Sequence, residues 1–156
     1  MTDLNIPWRA PAAVASDDVV LPFEVSALDQ RGRVVRLGPM LDTILTSHDY
    51  PVPIAKVLGE AVVLTVLLGA SLKFEGRFIL QTKTDGPLRM LVVDYTTPGN
   101  VRAYARFDAE RVAAAMAAGK VSAGEILGSG HLAMTIDQGA DMNRYQGLVA
   151  LSGGGL

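Results

Sequence analysis

The first predicted element is a β-hairpin. Residues 21–25 alternate between apolar and other side chains, which is the period of a strand. Pro22 has no backbone N–H and therefore favours the edge of a sheet. Turn-forming residues follow at 29–32, and an extended run resumes at 34–37. We therefore expect two antiparallel strands at a sheet edge.

The next segment has helical periodicity. Apolar residues at 40, 41, 44 and 45 share one face of a helix over 39–46. Pro51 and Pro53 end that helix and begin a second one, from Ile54 to about Leu72. The second helix is apolar nearly all round, so we expect it at the centre of the domain, covered on several sides. Its longest apolar run, 61–72, is shorter than the roughly 20 residues that span a bilayer, so no membrane partner is expected.

Beyond residue 73 the apolar period changes to two, which predicts strands. Turn sequences at 85–87 (Asp-Gly-Pro) and 98–100 (Pro-Gly-Asn) separate three such stretches. Short connections of this kind join antiparallel neighbours, so we expect a three-stranded meander. The apolar residues predicted to share one face of it are Phe78, Leu80, Leu88, Met90, Val92, Val101, Ala103 and Phe107.

The last part of the chain predicts one more helix and more strand. Asp108 is a suitable N-cap for a helix that runs to Ala118, and Gly119 ends it. A strand at 132–136 and a bend at 137–147 precede the apolar residues 148–151. The fold class is therefore α+β, with a largely antiparallel sheet or sheets packed with a long buried apolar helix and shorter helices.

Composition narrows the functional classes. The 156 residues are 49% hydrophobic and 19% charged with a net charge of −2, which favours a folded domain and disfavours nucleic acid as a partner. The chain has no cysteine, which excludes disulfides and thiolate chemistry within it. Residues 1–17 are predicted to be a flexible N-terminal arm and 18–156 the core domain. No signal-like apolar run occurs near the start, so we expect a cytoplasmic protein.

Short polar motifs offer little catalytic chemistry. Residues 47–49 (Ser-His-Asp) are the types of a hydrolytic triad, but three sequence neighbours cannot align in series, so a corner between helices is expected. Gly128-Ser129-Gly130 precedes a strand, which predicts a tight turn and not a phosphate loop. His131 and Asp137 are the one pair of candidate zinc ligands, and they are weak evidence for a zinc site. We expect neither a metal site nor a catalytic residue.

Glu60 lies within the apolar helix and is the one unusual carboxylate. If it is buried, it needs a partner or a raised pKa, and Lys56 and Arg77 are the candidates for pairing. Structural pairing is the favoured interpretation. A small enzyme with a catalytic carboxylate, Glu60 or Asp137, is kept as an alternative.

Basic residues recur on the predicted strands. Arg77, Arg89, Arg102 and Arg106 could line one sheet face beside Tyr95 and Tyr104, as in proteins that bind single-stranded nucleic acid. Two aromatic residues and no net positive charge are thin support for that function. An ordinary solvated polar face is the favoured interpretation.

Seven short segments form an ordered set that covers about residues 23–151. They are His48-Asp49-Tyr50-Pro51, Leu58-Gly59-Glu60-Ala61, Leu72-Lys73-Phe74-Glu75-Gly76, Asp85-Gly86-Pro87, Arg102-Ala103-Tyr104-Ala105, Gly128-Ser129-Gly130-His131-Leu132 and Arg144-Tyr145-Gln146-Gly147. In this order and spacing they resemble the core domain of the heat-shock protein 33 family of redox-regulated bacterial chaperones. The residues taken as its structural motif are His48, Asp49, Tyr50, Glu60, Asp85, Gly86, Tyr145 and Gly147.

The resemblance implies an ATP-independent holdase that binds unfolding or oxidatively damaged proteins under oxidative and heat stress, and that forms a homodimer. It also implies a C-terminal module in which four cysteines hold zinc, and whose oxidation uncovers apolar surface on the core domain. Since this sequence has no cysteine, we expect no cofactor in this chain, and zinc only in that module of a longer protein. The expected unit is the core domain without linker or zinc module.

Holding an unfolding protein requires adaptable apolar area and no reactive group. The eight apolar residues of the meander face are therefore our hypothesis for the client-binding surface. The same alternation fits an ordinary core face under the 54–72 helix, which is the favoured explanation of the two. A structural or dimerisation module is a further alternative.

Overall fold

The computed structural model describes residues 17–73, 75–139 and 144–156. The first elements are strand β1 (Val19–Val25), strand β2 (Gln30–Arg36), helix α1 (Pro39–Thr46), helix α2 (Val52–Gly69) and strand β3 (Arg77–Thr84). The remaining elements are β4 (Leu88–Thr96), β5 (Asn100–Phe107), α3 (Ala109–Ala117), α4 (Ala123–Leu127), β6 (Ser129–Asp137) and β7 (Tyr145–Ser152). The predicted arm at 1–17 lies outside the described residues except for Asp17, whose carboxylate is 3.1 Å from the Arg36 guanidinium.

The predicted hairpin is confirmed as β1 and β2. The two strands pair antiparallel from Val19 opposite Arg36 to Val25 opposite Gln30. The turn begins earlier than expected, in a single 3₁₀ turn closed by Asp29 in the left-handed conformation (φ 49°). An aspartate tolerates this conformation because its short polar side chain can bond locally.

Both predicted helices after the hairpin are present. Helix α1 has the predicted bounds, and its start is tied to the hairpin because the N–H groups of Gly38 and Met40 donate to the Asp18 carboxylate at 2.8 and 3.0 Å. Helix α2 begins directly after Pro51, its N-cap. Pro53 in the first turn suits this boundary because it has no N–H to leave unsatisfied. The helix ends at Gly69, earlier than predicted.

The main sheet has five strands in the order β5-β4-β3-β6-β7, and every neighbouring pair is antiparallel. Strands β3 to β5 form the predicted meander. Strand β6 returns along the other side of β3, and β7 forms an edge. The predicted α+β class with largely antiparallel sheets is confirmed.

Helix α2 covers one face of strands β3, β4 and β5, which we call the covered face. Gly69 allows helix α2 to lie directly against the sheet, because the Tyr95 ring occupies the space that a Cβ at position 69 would need. The largest fully buried side chains between helix and sheet are Ile54, Val57, Leu58, Val62, Leu80, Leu88, Leu91 and Val93. The opposite surface of the sheet, which we call the open face, has none of the described helices packed on it.

The prediction that eight apolar residues share one face is wrong for Met90 and Val92. Val92 pairs with Gln81 and Met90 with Lys83, whose side chains point to the open face. The cause is a bulge between Leu88 and Met90, which shifts the alternation of β4 by one residue. A slip of one residue exchanges the faces of every following side chain.

The helix after β5 is confirmed as α3. The Asp108 carboxylate accepts the Arg111 N–H at 3.1 Å, and Gly119 follows the helix at φ 69°. Helix α4 was not predicted. The sequence nevertheless contains a helix-start motif, because Ser122 and Glu125 form a reciprocal capping box. The hydrogen bond from the Ser122 hydroxyl lowers the pKa of the Glu125 carboxyl.

Candidate functional site

The main accessible apolar surface lies on the outer side of helix α2. This helix is apolar nearly all round, but the sheet covers only one side of it. A groove of about 770 Å³ separates it from α1. The apolar residues that line this groove include Leu41, Leu45, Val52, Val63, Leu64 and Leu67. The expectation that neighbours cover α2 on several sides is therefore met only in part.

Two further grooves continue this surface. One of about 690 Å³ lies between α2 and the hairpin, where Phe23 faces Leu67 and Leu68. Another of about 440 Å³ lies beyond Leu68, against Met134 and Tyr145 of strands β6 and β7. Leu67 belongs to the first two grooves and Leu68 to the last two, so the three adjoin one another along α2. We call this surface the apolar band.

The band is exposed to solvent at its ends as well as in its grooves. Val52, at the first turn of α2, is 76% exposed, and Leu68, near its last turn, is 37% exposed. The hairpin adds further large apolar side chains with substantial exposure. They are Leu21, Phe23, Val25, Leu28 and Val34. Contiguous apolar surface of this kind is typical of an interaction site.

Helix α2 is 18 residues long, and by length and composition alone it could cross a membrane. Half of it is buried inside the fold, against the covered face of the sheet. The core helix of a folded domain satisfies the same criterion, and this position agrees with the buried helix that the sequence predicts.

The meander residues named by the sequence separate into two groups. Six of them lie on the covered face, where Phe78, Leu80 and Leu88 are buried. Val101, Ala103 and Phe107 are half-buried against the same core. This is the arrangement that the core explanation predicts. Met90 and Val92 are half-buried on the open face, away from α2.

The favoured pairing of Glu60 is not found, and Glu60 is not buried. Its side chain is exposed at the rim of the α1–α2 groove, because that side of α2 faces solvent and not the sheet. Neither Lys56 nor Arg77 forms an ion pair with it within the described residues, and Arg77 instead binds Asp94. Glu60 therefore contributes a polar rim to an apolar groove.

The corner at residues 48–50 fixes the helices to the sheet edge. The Tyr50 hydroxyl accepts the Ala105 N–H of edge strand β5 at 3.2 Å. Burial raises the pKa of Tyr50, and this hydrogen bond partly offsets the rise. The His48 ring contacts Tyr50 and Tyr104 edge to face, with both centroid distances 5.4 Å. Asp49 is exposed at the same corner.

The Asp85-Gly86 turn joins the sheet to α4. The Asp85 carboxylate accepts the Ser129 N–H at 2.7 Å, and the Gly86 N–H donates to the Leu127 carbonyl at 3.0 Å. A Cβ on Gly86 would lie 2.5 Å from the Ile126 carbonyl oxygen, so glycine is required by close backbone approach. The remaining motif residues, Tyr145 and Gly147, are exposed on edge strand β7.

The described residues contain no group of three or more His, Cys, Asp or Glu side chains placed to hold a metal ion. His131 and Asp137 lie six residues apart on β6, a separation of roughly 20 Å at strand rise, which is too far for one zinc ion. Arg144 binds Asp137 at 2.7 Å and lowers the pKa of its carboxyl, helped by the Gly139 N–H. A carboxylate that an ion pair holds in its charged form is poorly suited to act as a general acid.

The sequence did not identify the apolar band. The sequence pattern predicts its hairpin and helix residues as separate elements, and the side of α2 that stays open depends on how the sheet packs against it. A signal was nevertheless present, since an 18-residue helix that is apolar all round exceeds what one sheet face can cover.

Comparison with known proteins gives one consistent family. The family model described as Hsp33 protein matches residues 18–156. A 33 kDa chaperonin of Caulobacter vibrioides is 52% identical over 155 residues, which is 98% of this chain and 49% of that protein. One of Nitrosococcus oceani is 42% identical over 123 residues, 79% of this chain and 40% of that protein.

A solved structure supports the fold. The crystal structure of a 33 kDa chaperonin (heat shock protein 33 homolog) from Thermotoga maritima matches 89% of this chain and 47% of its own chain, with a TM-score of 0.71 and 21% sequence identity. The chain therefore spans about half the length of the relatives that it matches.

Proposed function

The chain belongs to the Hsp33 family, and on that premise we propose that it is the client-holding part of a chaperone, with the apolar band as its binding surface. The observation that carries this proposal is the outer side of α2, which leaves three adjoining grooves open to solvent. Two of them are lined chiefly by apolar residues, and the third, at the hairpin, also has charged residues in its lining. The names of the relatives, 33 kDa chaperonins, support a chaperone and not an enzyme.

The chemistry of the band suits a holdase. An unfolding client offers scattered aliphatic and aromatic side chains, and each one buried contributes about 2 kcal/mol. A long surface with several grooves can accept such side chains in many registers. Leu67 and Leu68 each line two neighbouring grooves, so they can contact a client side chain in either one. No ATP-driven or covalent step is needed for this mode of binding.

The proposed clients are unfolding or oxidatively damaged proteins, and the proposed setting is the cytoplasm under heat and oxidative stress. We propose that redox control reaches this domain from a zinc-binding cysteine module elsewhere in the family's architecture. The 156 residues contain no cysteine that could hold zinc or form a disulfide, so the oxidation step cannot occur on them. A homodimer is part of the same proposal.

The test uses surface substitutions that leave the core untouched. Val52→Asp puts a carboxylate into the band at the first turn of α2. The helix dipole stabilises a negative charge at this end of a helix, so we expect the variant to fold. Val121→Asp is the matched control, since Val121 is 41% exposed and lies after α3, outside the band. The measurement is light scattering of a thermally unfolding client protein.

We expect the unmodified chain and Val121→Asp to suppress aggregation equally, and Val52→Asp to suppress it less. Leu68→Asp, at the other end of α2, is expected to have the same effect as Val52→Asp. Equal suppression by all four proteins, each shown to be folded by circular dichroism, would contradict the assignment of the band.

A further inference from the structure

The open face of the sheet carries an apolar centre that no described helix covers. Met90 and Val92 of β4 and Tyr104 of β5 form it, and Val92 lies directly opposite Tyr104. Tyr104 is 41% exposed, and the His48 ring holds it edge to face. We call these three residues the open-face centre.

Three cations surround this centre. Arg106 is opposite Met90 on β5, Lys83 is opposite Met90 on β3, and Arg102 lies at the next same-face position of β5 beyond Tyr104. All three side chains are exposed, and none forms an ion pair with another described residue. The centre is therefore apolar within a positively charged rim.

Three carboxylates on or beside this face are engaged, whereas Asp49, at the corner where His48 contacts Tyr104, is exposed and forms no ion pair with another described residue. Asp94 binds Arg77, and Asp137 binds Arg144. Asp108 directly follows β5. Its carboxylate lies 3.6 Å from the Arg89 guanidinium and caps helix α3. The local excess of positive charge contrasts with the net charge of −2 of the whole chain.

We propose that the open face binds an acidic, amphipathic peptide segment of another protein. Such a segment would place an aliphatic or aromatic side chain on the open-face centre and carboxylates against the rim cations. Cations on strands two apart, such as Lys83 and Arg106, are about 10 Å from each other at the usual strand spacing. Two carboxylates about seven residues apart on a helix match that distance.

The surface fits a peptide better than a nucleic acid. Tyr104 is the exposed aromatic ring at the open-face centre, whereas single-strand binding uses successive stacking platforms. The half-buried Met90 and Val92 suit an apolar side chain and offer nothing specific to a phosphate. The site is separate from the apolar band, because α2 packs on the opposite face of the sheet.

The test measures fluorescence anisotropy of labelled peptides added to the full 156-residue chain. Three peptides share one apolar sequence and differ only at two positions about seven residues apart, which carry Glu, Gln or Lys. We expect the Glu peptide to bind most tightly and the Lys peptide least. Arg106→Glu is expected to weaken binding of the Glu peptide about fivefold, and moderate salt to do the same. The matched control, Lys120→Glu, removes an exposed cation after α3 and is expected to leave the affinity unchanged.

Several results would overturn the inference. They are equal binding of the Glu and Gln peptides, equal effects of Arg106→Glu and Lys120→Glu, or complete competition by a single-stranded oligonucleotide. Loss of a dimer by Arg106→Glu in sedimentation, without a change in peptide affinity, would assign the face to a second copy of the chain. Val52→Asp separates this site from the band, since it is expected to lower aggregation suppression and leave peptide affinity unchanged.

Discussion

The substitution Gly86→Ala tests how tightly the Asp85-Gly86 turn packs against α4. A methyl group there would lie 2.5 Å from the Ile126 carbonyl oxygen and closer still to the Leu127 carbonyl oxygen. Backbone atoms cannot rotate away as a side chain can, so the turn must move and the bond from the Gly86 N–H to Leu127 must lengthen. We add about 2 kcal/mol of overpacking to about 1 kcal/mol for the hydrogen bond and expect a loss of about 3 kcal/mol.

Urea denaturation measures this loss directly, and for a chain of 156 residues it corresponds to a fall in Tm of about 9 °C. Gly99→Ala is the matched control, because nothing lies within 4 Å of its Cβ position and its φ is not in the left-handed region. We expect the control to change stability by less than about 0.5 kcal/mol. A similar small change for Gly86→Ala would refute the packing argument.

Three further predictions follow from single side chains. Thr82→Val is expected to raise stability by about 1 kcal/mol, because the buried Thr82 hydroxyl has no hydrogen-bond partner among the described residues; a loss in urea denaturation would contradict this. Tyr50→Phe is expected to cost about 1 kcal/mol, since it removes the acceptor of the Ala105 N–H, and an unchanged Tm would refute it. Arg144 lowers the pKa of Asp137, so this carboxylate stabilises the fold above the usual pKa of 3.8 and loses that contribution as pH falls through its lowered value. The stability gap between the unmodified chain and Asp137→Asn should therefore shrink from about pH 6 to about pH 3, and a constant gap would be evidence against the ion pair.

Much of the fold could be predicted because local periodicity determines the element type. The alternation at 21–25, the helical spacing at 39–46 and the capping Asp108 each describe one element and its immediate neighbours. Boundaries shifted by a few residues where a proline or a glycine allowed more than one start or end. The family resemblance covered the same elements and is confirmed by the comparisons.

The errors have a common physical cause. The face of Met90 depends on a bulge in the pairing of β4 with β5, and no pattern within β4 alone records that bulge. The exposure of Glu60 depends on which side of α2 meets the sheet, which is a tertiary property. A helix that is apolar on all sides has no polar face, so its sequence does not indicate which side faces solvent.

The apolar band was missed for the same reason. Its members, among them Phe23, Leu67 and Tyr145, come from a hairpin, a helix and an edge strand far apart in the chain. Each was predicted as part of its own element. Only the packing of the hairpin and of β7 beside α2 brings them onto one surface.

The most direct test of the central claim is whether an unfolding client touches the band. The chain has no cysteine, so Leu67→Cys supplies a single thiol for a photoactivatable cross-linker, and Val121→Cys supplies the matched site outside the band. Each labelled protein is irradiated with a thermally unfolding client, and the adducts are separated by mass. The account predicts client adducts from position 67 and only background from position 121. Equal adducts from both positions, or adducts from position 121 alone, would contradict it.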